Sequence, residues 1–397
     1  MPNYLAPGVY VEETQSGNRP IEAVGTSTAG FLGVAPAADQ HVHELVWIEN
    51  WTQFMSEFSP PGSVSTSLAR AVFGFFQNGG TRCGIVNIGE DGSIQGDGTT
   101  RQGIGIFEQY DNISIMAAPG FTDPLSQEAL VSHCEKMRDR VAILDGPETV
   151  KNVSALTRPA MQPVPGQKTE SGLEAFGSPK SDSGFAAFYY PWIAIRDPIA
   201  PFKVVTTPPS GHIAGIYGRT DAMRGVHKAP ANEVIRGAVG LSHRITRQEQ
   251  EELNPKGVNC IRYFPNEGIR VYGARTVAPS SSEWRYLQVR RFFIMAEASI
   301  MRSTAWVVFE PNDRPLWKAI RRDVSAFLTL LWRQGAIMGR TPEEAFFVQC
   351  DEETNTQEEI DAGRVVIVVG MAPVKPAEFV IFRIGQGVGG ATVDAQS

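Results

Sequence analysis

Ser27 lies in Gly25-Thr26-Ser27-Thr28-Ala29, a run of small residues that could present a nucleophilic hydroxyl. That chemistry needs a histidine to take the proton and an acid to orient it. The sequence offers no His-Gly-Thr-His block and no Gly-x-Ser-x-Gly elbow, and His41 and His43 do not supply the missing base. Without that context the segment reads as a buried strand of small residues. Gly385-x-Gly387-x-x-Gly390 has the letters of a dinucleotide fingerprint, which works only where a helix N-terminus follows to hold the pyrophosphate. Only the short run 391–397 follows in this sequence, so a flexible tail is expected there. Gly103-x-Gly105 lacks the third glycine, and no Gly-x-x-x-x-Gly-Lys-Ser/Thr loop occurs.

Metal chemistry meets the same obstacle. His41-Val42-His43 would place two imidazoles on one face of a strand, but no third ligand accompanies them. Asp351, Glu352, Glu353, Glu358, Glu359 and Asp361 form an acidic run without the glycine and the final carboxylate of a calcium loop, which leaves a solvated loop. Cys83, Cys134, Cys260 and Cys350 are scattered, with no zinc spacing, and are expected to be reduced, packed thiols. The reading is therefore no catalytic residue, no metal and no cofactor. Lys318, Arg321, Arg322 and Arg333 line the polar side of one helix, either as a solvated face or as a basic ridge for an acidic partner.

A chain of 397 residues with 20% charged and 42% hydrophobic residues can build two or three cores. Its formal net charge of −7 disfavours direct binding to nucleic acid or to an anionic membrane. The longest apolar run, Val365 to Ala372, is far shorter than the roughly 20 residues that span a bilayer. Met1-Pro2-Asn3-Tyr4 lacks the start of a secretory leader, so synthesis and folding in the cytoplasm are expected.

Hydrophobic patterning predicts a mixed α/β chain. Strands are expected over Gly25–Val34, Leu45–Ile48, Cys83–Ile88, Ile113–Ala117, Val141–Leu144 and Phe188–Ile195. Helices are expected around Trp51–Phe58, Ser67–Asn78, Leu125–Arg138 and Gly211–Gly225, the last with Ile213, Ile216, Tyr217 and Met223 inward. Strand and helix alternate from Ile113 to Leu144, which favours a parallel sheet with right-handed crossovers. Residues 156–184 read as a long loop. Strand-like Cys260–Tyr263 and Ile269–Tyr272 follow, and a domain boundary is placed near Ala274–Ser282. Beyond it come a strand-like Trp284–Val289, a helix over Arg291–Met301 and a strand over Trp306–Phe309. Pro315–Gln334 is an amphipathic helix with Asp313 as its N-cap and Gly335 at its end. Further strands are expected over Ala345–Cys350 and Arg364–Val369.

Strand-like segments also stand near each end of the sequence: Val9, Tyr10, Val11 and Glu12, and Phe379, Val380, Ile381 and Phe382. A terminal strand needs a partner for its backbone N–H and C=O groups, in its own chain or in a neighbour. Pairing within the chain would make a monomeric α/β binding protein. Pairing with a neighbour would make a polymer.

Several blocks in order resemble the phage tail sheath family. They are Pro7-Gly8-Val9-Tyr10-Val11-Glu12-Glu13, Gly257–Arg262 with Gly268–Thr276, Trp306–Asp313, Thr341–Phe347 and Ala372–Phe379. The resemblance implies a contractile sheath subunit of a phage tail, a tailocin or a contractile injection system, with an outer α/β domain likened to the subtilisin fold but lacking its triad. A serine hydrolase of that fold is the alternative. The implied organisation is an arm over 1–20, an outer domain over 21–276, an inner tube-facing domain over 277–375, and a second arm with a tail over 376–397. Each inner domain's small sheet would be completed by the arm strands of neighbours. Gly17, Asn18, Ala372 and Pro373 are the expected hinges, and Lys318, Arg321 and Arg322 the expected tube contacts. The implied partners are other copies of itself, an inner tube protein, a baseplate and a terminator or cap.

Overall fold

The protein is described here from a computed structural model covering residues 20–90, 92–96, 101–157 and 179–378. The first part of the chain contributes strands β1 (Ala29–Gly33), β2 (Leu45–Ile48), β3 (Cys83–Asn87), β4 (Ile115–Ala117), β5 (Val141–Asp145) and β6 (Ala186–Tyr190). Next come β7 (Ile193–Arg196), β8 (Val204–Thr207), β9 (Glu233–Val234), β10 (Ala238–Leu241), β11 (Val258–Phe264) and β12 (Gly268–Tyr272). Helices α1 (Trp51–Phe58), α2 (Ser67–Gln77), α3 (Pro124–Met137), α4 (Ser210–Arg224) and α5 (Arg247–Leu253) are interleaved with them. The rest of the chain forms α6 (Leu287–Ser303), α7 (Arg314–Arg333), α8 (Pro342–Ala345), α9 (Gln357–Asp361), β13 (Phe346–Gln349) and β14 (Val368–Met371).

Nine strands form one sheet in the order β2-β3-β1-β4-β5-β6-β11-β12-β9. Its centre, from β3 to β11, is parallel, and antiparallel strands close each side. β1, β3, β4, β5 and β6 are buried along their whole length, as expected of parallel strands covered on both faces. Their side chains build the larger core with α2, α3 and α4. β7, β8 and β10 form a separate three-stranded sheet, and β13 and β14 a two-stranded one.

Helix α4 is buried over its first eleven residues, Ser210 to Thr220, because it crosses α2 at very short range. Only glycine permits that approach. A Cβ on Gly211 would stand 2.3 Å from the Ala71 backbone, and one on Gly74 only 2.2 Å from the His212 ring. His212 is enclosed without a hydrogen-bond partner, and burial pushes its imidazole down to about 4, so it packs as a neutral ring. At the tip of β5, the Asp145 carboxylate accepts the Ser210 N–H at 2.9 Å and its hydroxyl at 2.7 Å, tying the start of α4 to the sheet. All four cysteines are buried and unbridged.

Six expectations change. The Phe188–Ile195 strand divides into β6 and β7 in different sheets, since Pro191 has no N–H to continue a ladder. Trp284–Val289 is a turn of 3-10 helix leading into α6, because its short apolar run belongs to a helical period continued by Phe292 and Ile294. Trp306–Phe309 reverses the chain between α6 and α7 instead of extending it. The Glu310 N–H bonds back to the Val307 carbonyl, and Phe309 sits fully exposed at φ 71°. His41 and His43 occupy turns at φ 50° and 59°, not one face of a strand. Met223 is 73% exposed, lying beyond the buried stretch of α4. The Arg364–Val369 strand also starts late, at Val368.

Replacing Gly74 by Ala should lower stability by about 1–3 kcal/mol or more, because the His212 ring must be displaced within a packed crossing. Gly25→Ala, which meets nothing within 4 Å, is the control. Denaturant midpoints measure both, and an unchanged midpoint for Gly74→Ala would contradict the packing described.

Candidate assembly interface

The smaller core is organised by α7. Asp313 accepts the Leu316 N–H at 3.0 Å as N-cap, Pro315 occupies the first turn, and Gly335 at φ 77° ends the helix. Leu316, Trp317, Ile320, Val324, Phe327, Leu328 and Leu331 are buried along one stripe, and β13 packs against it. β13 and β14 are antiparallel, with Phe346 opposite Met371 and Val348 opposite Val369. Those four residues face the core, while Phe347 is 56% exposed with its ring over Gly370.

A two-stranded sheet is marginal alone, and here α7 supports one face. Neither outer edge of the β13–β14 pair has a strand beside it among the described residues. Unpaired edge groups form a template for another strand. Beyond β14 the pairing continues on the β13 side: Ala372 donates to the Ala345 carbonyl at 3.0 Å, Met338 donates to the Ala372 carbonyl at 2.7 Å, and Pro373 bridges to Ile337. Ala372 and Pro373 are thus held in paired backbone.

The segments leading to the two ends of the described chain are both pinned by side chains far away in sequence. On the N-terminal side, Ile21 is buried in the smaller core and the Val24 N–H donates to Ser299 Oγ at 3.0 Å. Two residues on, Arg291 donates to the Thr26 carbonyl at 2.9 Å and to both oxygens of Asp221 at 3.0 and 2.6 Å, and the Thr26 hydroxyl donates to Asp221 at 2.6 Å. The Arg291 and Asp221 side chains are only 3% and 6% exposed. The guanidinium also lies over Tyr217, 4.5 Å from the ring centre.

On the C-terminal side, Glu378 accepts from Arg275 Nε at 2.9 Å, Arg275 Nη2 at 2.7 Å and Asn254 Nδ2 at 2.8 Å, with the Tyr286 hydroxyl at 3.5 Å. Partial burial pushes this carboxyl up, but the bonds from Arg275 and Asn254 and the guanidinium charge outweigh it and hold it below its ordinary value.

Val9, Tyr10, Val11, Glu12, Gly17 and Asn18 lie outside the described residues, as do Phe379, Val380, Ile381 and Phe382. Lys318, Arg321 and Arg322 share the exposed side of α7, where Arg322 pairs with Asp323 at 2.9 Å. Ser27 packs against α4 opposite Gly218, and among the described residues no histidine bonds to it. No group of three or more His, Cys, Asp or Glu side chains able to hold a metal occurs among the described residues. Sequence reasoning missed Arg291, Asp221, Arg275 and Glu378 as anchors, since their partners are 70 and 103 positions apart and leave no local pattern.

Residues 104–277 match the family described as the phage tail sheath protein central domain, and residues 279–386 match the phage tail sheath C-terminal domain. The tail sheath protein of Salmonella phage ViI is 26% identical over 249 residues, covering 61% of this chain but only 38% of that protein. The tail sheath protein of Escherichia phage P2 is 23% identical over 95% of this chain and 94% of its own length. Two solved structures align along almost the whole chain. The contracted sheath of the extracellular contractile injection system PVC gives a TM-score of 0.77 at 30% identity, covering 98% of this chain and 99% of that one. The contracted helical sheath of the anti-feeding prophage gives 0.75 at 32% identity, covering 96% and 99%.

Glu378→Gln should loosen the segment 374–378 at neutral pH, read as faster amide hydrogen exchange there. In the wild type the same loosening should come only on acidification: a lowered carboxyl keeps its contribution above the ordinary range near pH 4 and loses it as pH falls through the folded value. Equal exchange in the two proteins at pH 7 would remove Glu378 as an anchor.

Proposed function

The chain belongs to the phage tail sheath family, and on that premise we propose that it assembles by lending its end strands to neighbouring copies. The observation that carries this reading is the two-stranded sheet on α7 with no strand on either outer edge among the described residues. Val9, Tyr10, Val11 and Glu12 of one neighbour and Phe379, Val380, Ile381 and Phe382 of another supply the missing strands. Backbone hydrogen bonds give this strand addition its affinity, and alternating side chains give it its register. Each copy gives and receives at different surfaces, so the contacts are heterologous and build a helical array instead of a closed pair.

The array surrounds an inner tube and is capped by baseplate and terminator proteins. Lys318, Arg321 and Arg322 on α7 face the tube. Residues 21–276 form the outer unit and 277–375 the inner one, flanked by arms over 1–20 and 376–397. Contraction proceeds by rigid-body rotation of subunits into a denser packing, with the arms as links. The anchors at Thr26 and Glu378 support a body that turns without internal rearrangement. With Ala372 and Pro373 held in paired backbone, bending on the C-terminal side belongs past Glu378; on the N-terminal side it belongs before Ile21, at Gly17 and Asn18. No catalytic residue or cofactor enters this cycle. Two relatives solved as contracted sheaths of injection particles support this reading, and in it the subunit is made in the cytoplasm and ends in an injection particle or a phage tail.

Deleting residues 1–19 should leave a folded protein, with an unfolding midpoint within a few degrees of wild type, that forms no long polymers in electron micrographs. Normal polymers from the truncated chain would overturn strand exchange. A full chain that stays monomeric in sedimentation at high concentration would instead favour end strands that pair within their own chain.

A further inference from the structure

Next to the Glu378 anchor lies a cleft of about 700 Å³, walled by the turn after α4 on one side and by residues 374–378 on the other. Arg224, His227, Lys228 and Lys375 line it, and none of these four forms an ion pair among the described residues. The one carboxylate of the lining, Glu378, is already taken up by Arg275 and Asn254. Lys228 turns its ammonium to the Ala229 carbonyl at 2.6 Å. Burial, helped by the Arg224 charge, holds His227 below its ordinary value; burial also lowers Lys228, where Glu233 opposes it more than Arg224 adds to it. Arg224, Lys228 and Lys375 therefore give the cleft a surplus of positive charge with no ion pair among the described residues.

A surface of the opposite sign occurs on the same chain. The loop joining β13 to β14 carries six carboxylates and no cation between residues 351 and 361. Arg314 pairs with Glu352 and Arg364 with Glu359, which leaves the loop strongly acidic, with Glu358 and Asp361 exposed. It lies at the other end of the β13–β14 hairpin from the segment that lines the cleft. The hairpin turns at Gln349 and Val368, whereas the cleft segment leaves from the opposite end, past the Ala345–Ala372 pairing.

We infer that the cleft of one copy receives the acidic loop 351–361 of a second copy. Two different complementary surfaces on one chain give a heterologous, head-to-tail contact, the kind from which a helical array is built. Charge complementarity of this kind fixes register and speeds association more than it adds affinity, so it would seat the subunit while the exchanged strands hold it. The inference rests on the sheath reading.

The test uses full-length protein and its critical concentration for polymer formation, followed by sedimentation and electron microscopy. Arg224→Glu with Lys228→Glu should raise that concentration at least tenfold, and so should Glu358→Lys with Asp361→Lys. Circular dichroism and the unfolding midpoint confirm that each variant folds. A one-to-one mixture of the two variants should polymerise better than either alone, since the acidic cleft of the first then meets a loop of much reduced negative charge while the unaltered cleft of the second meets the unaltered loop of the first. Two folded variants that assemble like wild type overturn the contact, as does a mixture that fails to recover. Wild type that polymerises while the 1–19 deletion does not keeps the sheath reading intact whichever way the charge variants fall, and wild type that never polymerises removes both.

Discussion

Much of the architecture depends on one buried ion pair. Arg291 on α6 and Asp221 on α4 meet at the seam of two cores, and both also hold Thr26, on the segment leading into β1. Removing either partner would strand a buried charge, a loss of about 3–5 kcal/mol. The pair is well supplied for its position. Arg291 makes three hydrogen bonds, and the Tyr217 face beneath it ends in a hydroxyl bonded to Tyr189 at 2.8 Å. Through these contacts the nine-stranded sheet, the helix α6 and the N-terminal approach hold one geometry.

The Glu378 cluster does the same at the other end of the described chain, in a milder setting. Its carboxylate is partly exposed, and its partners come from the turn after α5, from just beyond β12 and from the start of α6. Both approaches to the chain ends are thus fixed by charge-assisted bonds to side chains far away in sequence. These anchors fix where the chain leaves the folded body at each end.

Much of the fold was legible in the residues. Asp313, Pro315 and Gly335 marked the limits of α7, and the spacing of Leu316, Ile320, Val324 and Phe327 marked its buried side. The alternation from β4 through α3 to β5 was equally plain. Failures came where an apolar run was too short to show its period. Trp284–Val289 and Trp306–Phe309 have strand-forming residues, yet chain reversal and the continuation of α6 decided their form. The anchors escaped because an arginine and a carboxylate far apart in sequence carry no spacing rule. Val9–Glu12 and Phe379–Phe382 were visible as strand-forming residue types, and they lie outside the described residues.

The open edges of β13 and β14 have a genetic consequence. If the sheet is finished by strands from other chains, the folding unit is not the product of one polypeptide but is shared among several. A lesion in an arm then leaves its own subunit sound and harms its neighbours, whose edges stay unfilled. Defective copies would poison a mixed array out of proportion to their number, and selection on the arm sequence would act through the sheets of other molecules.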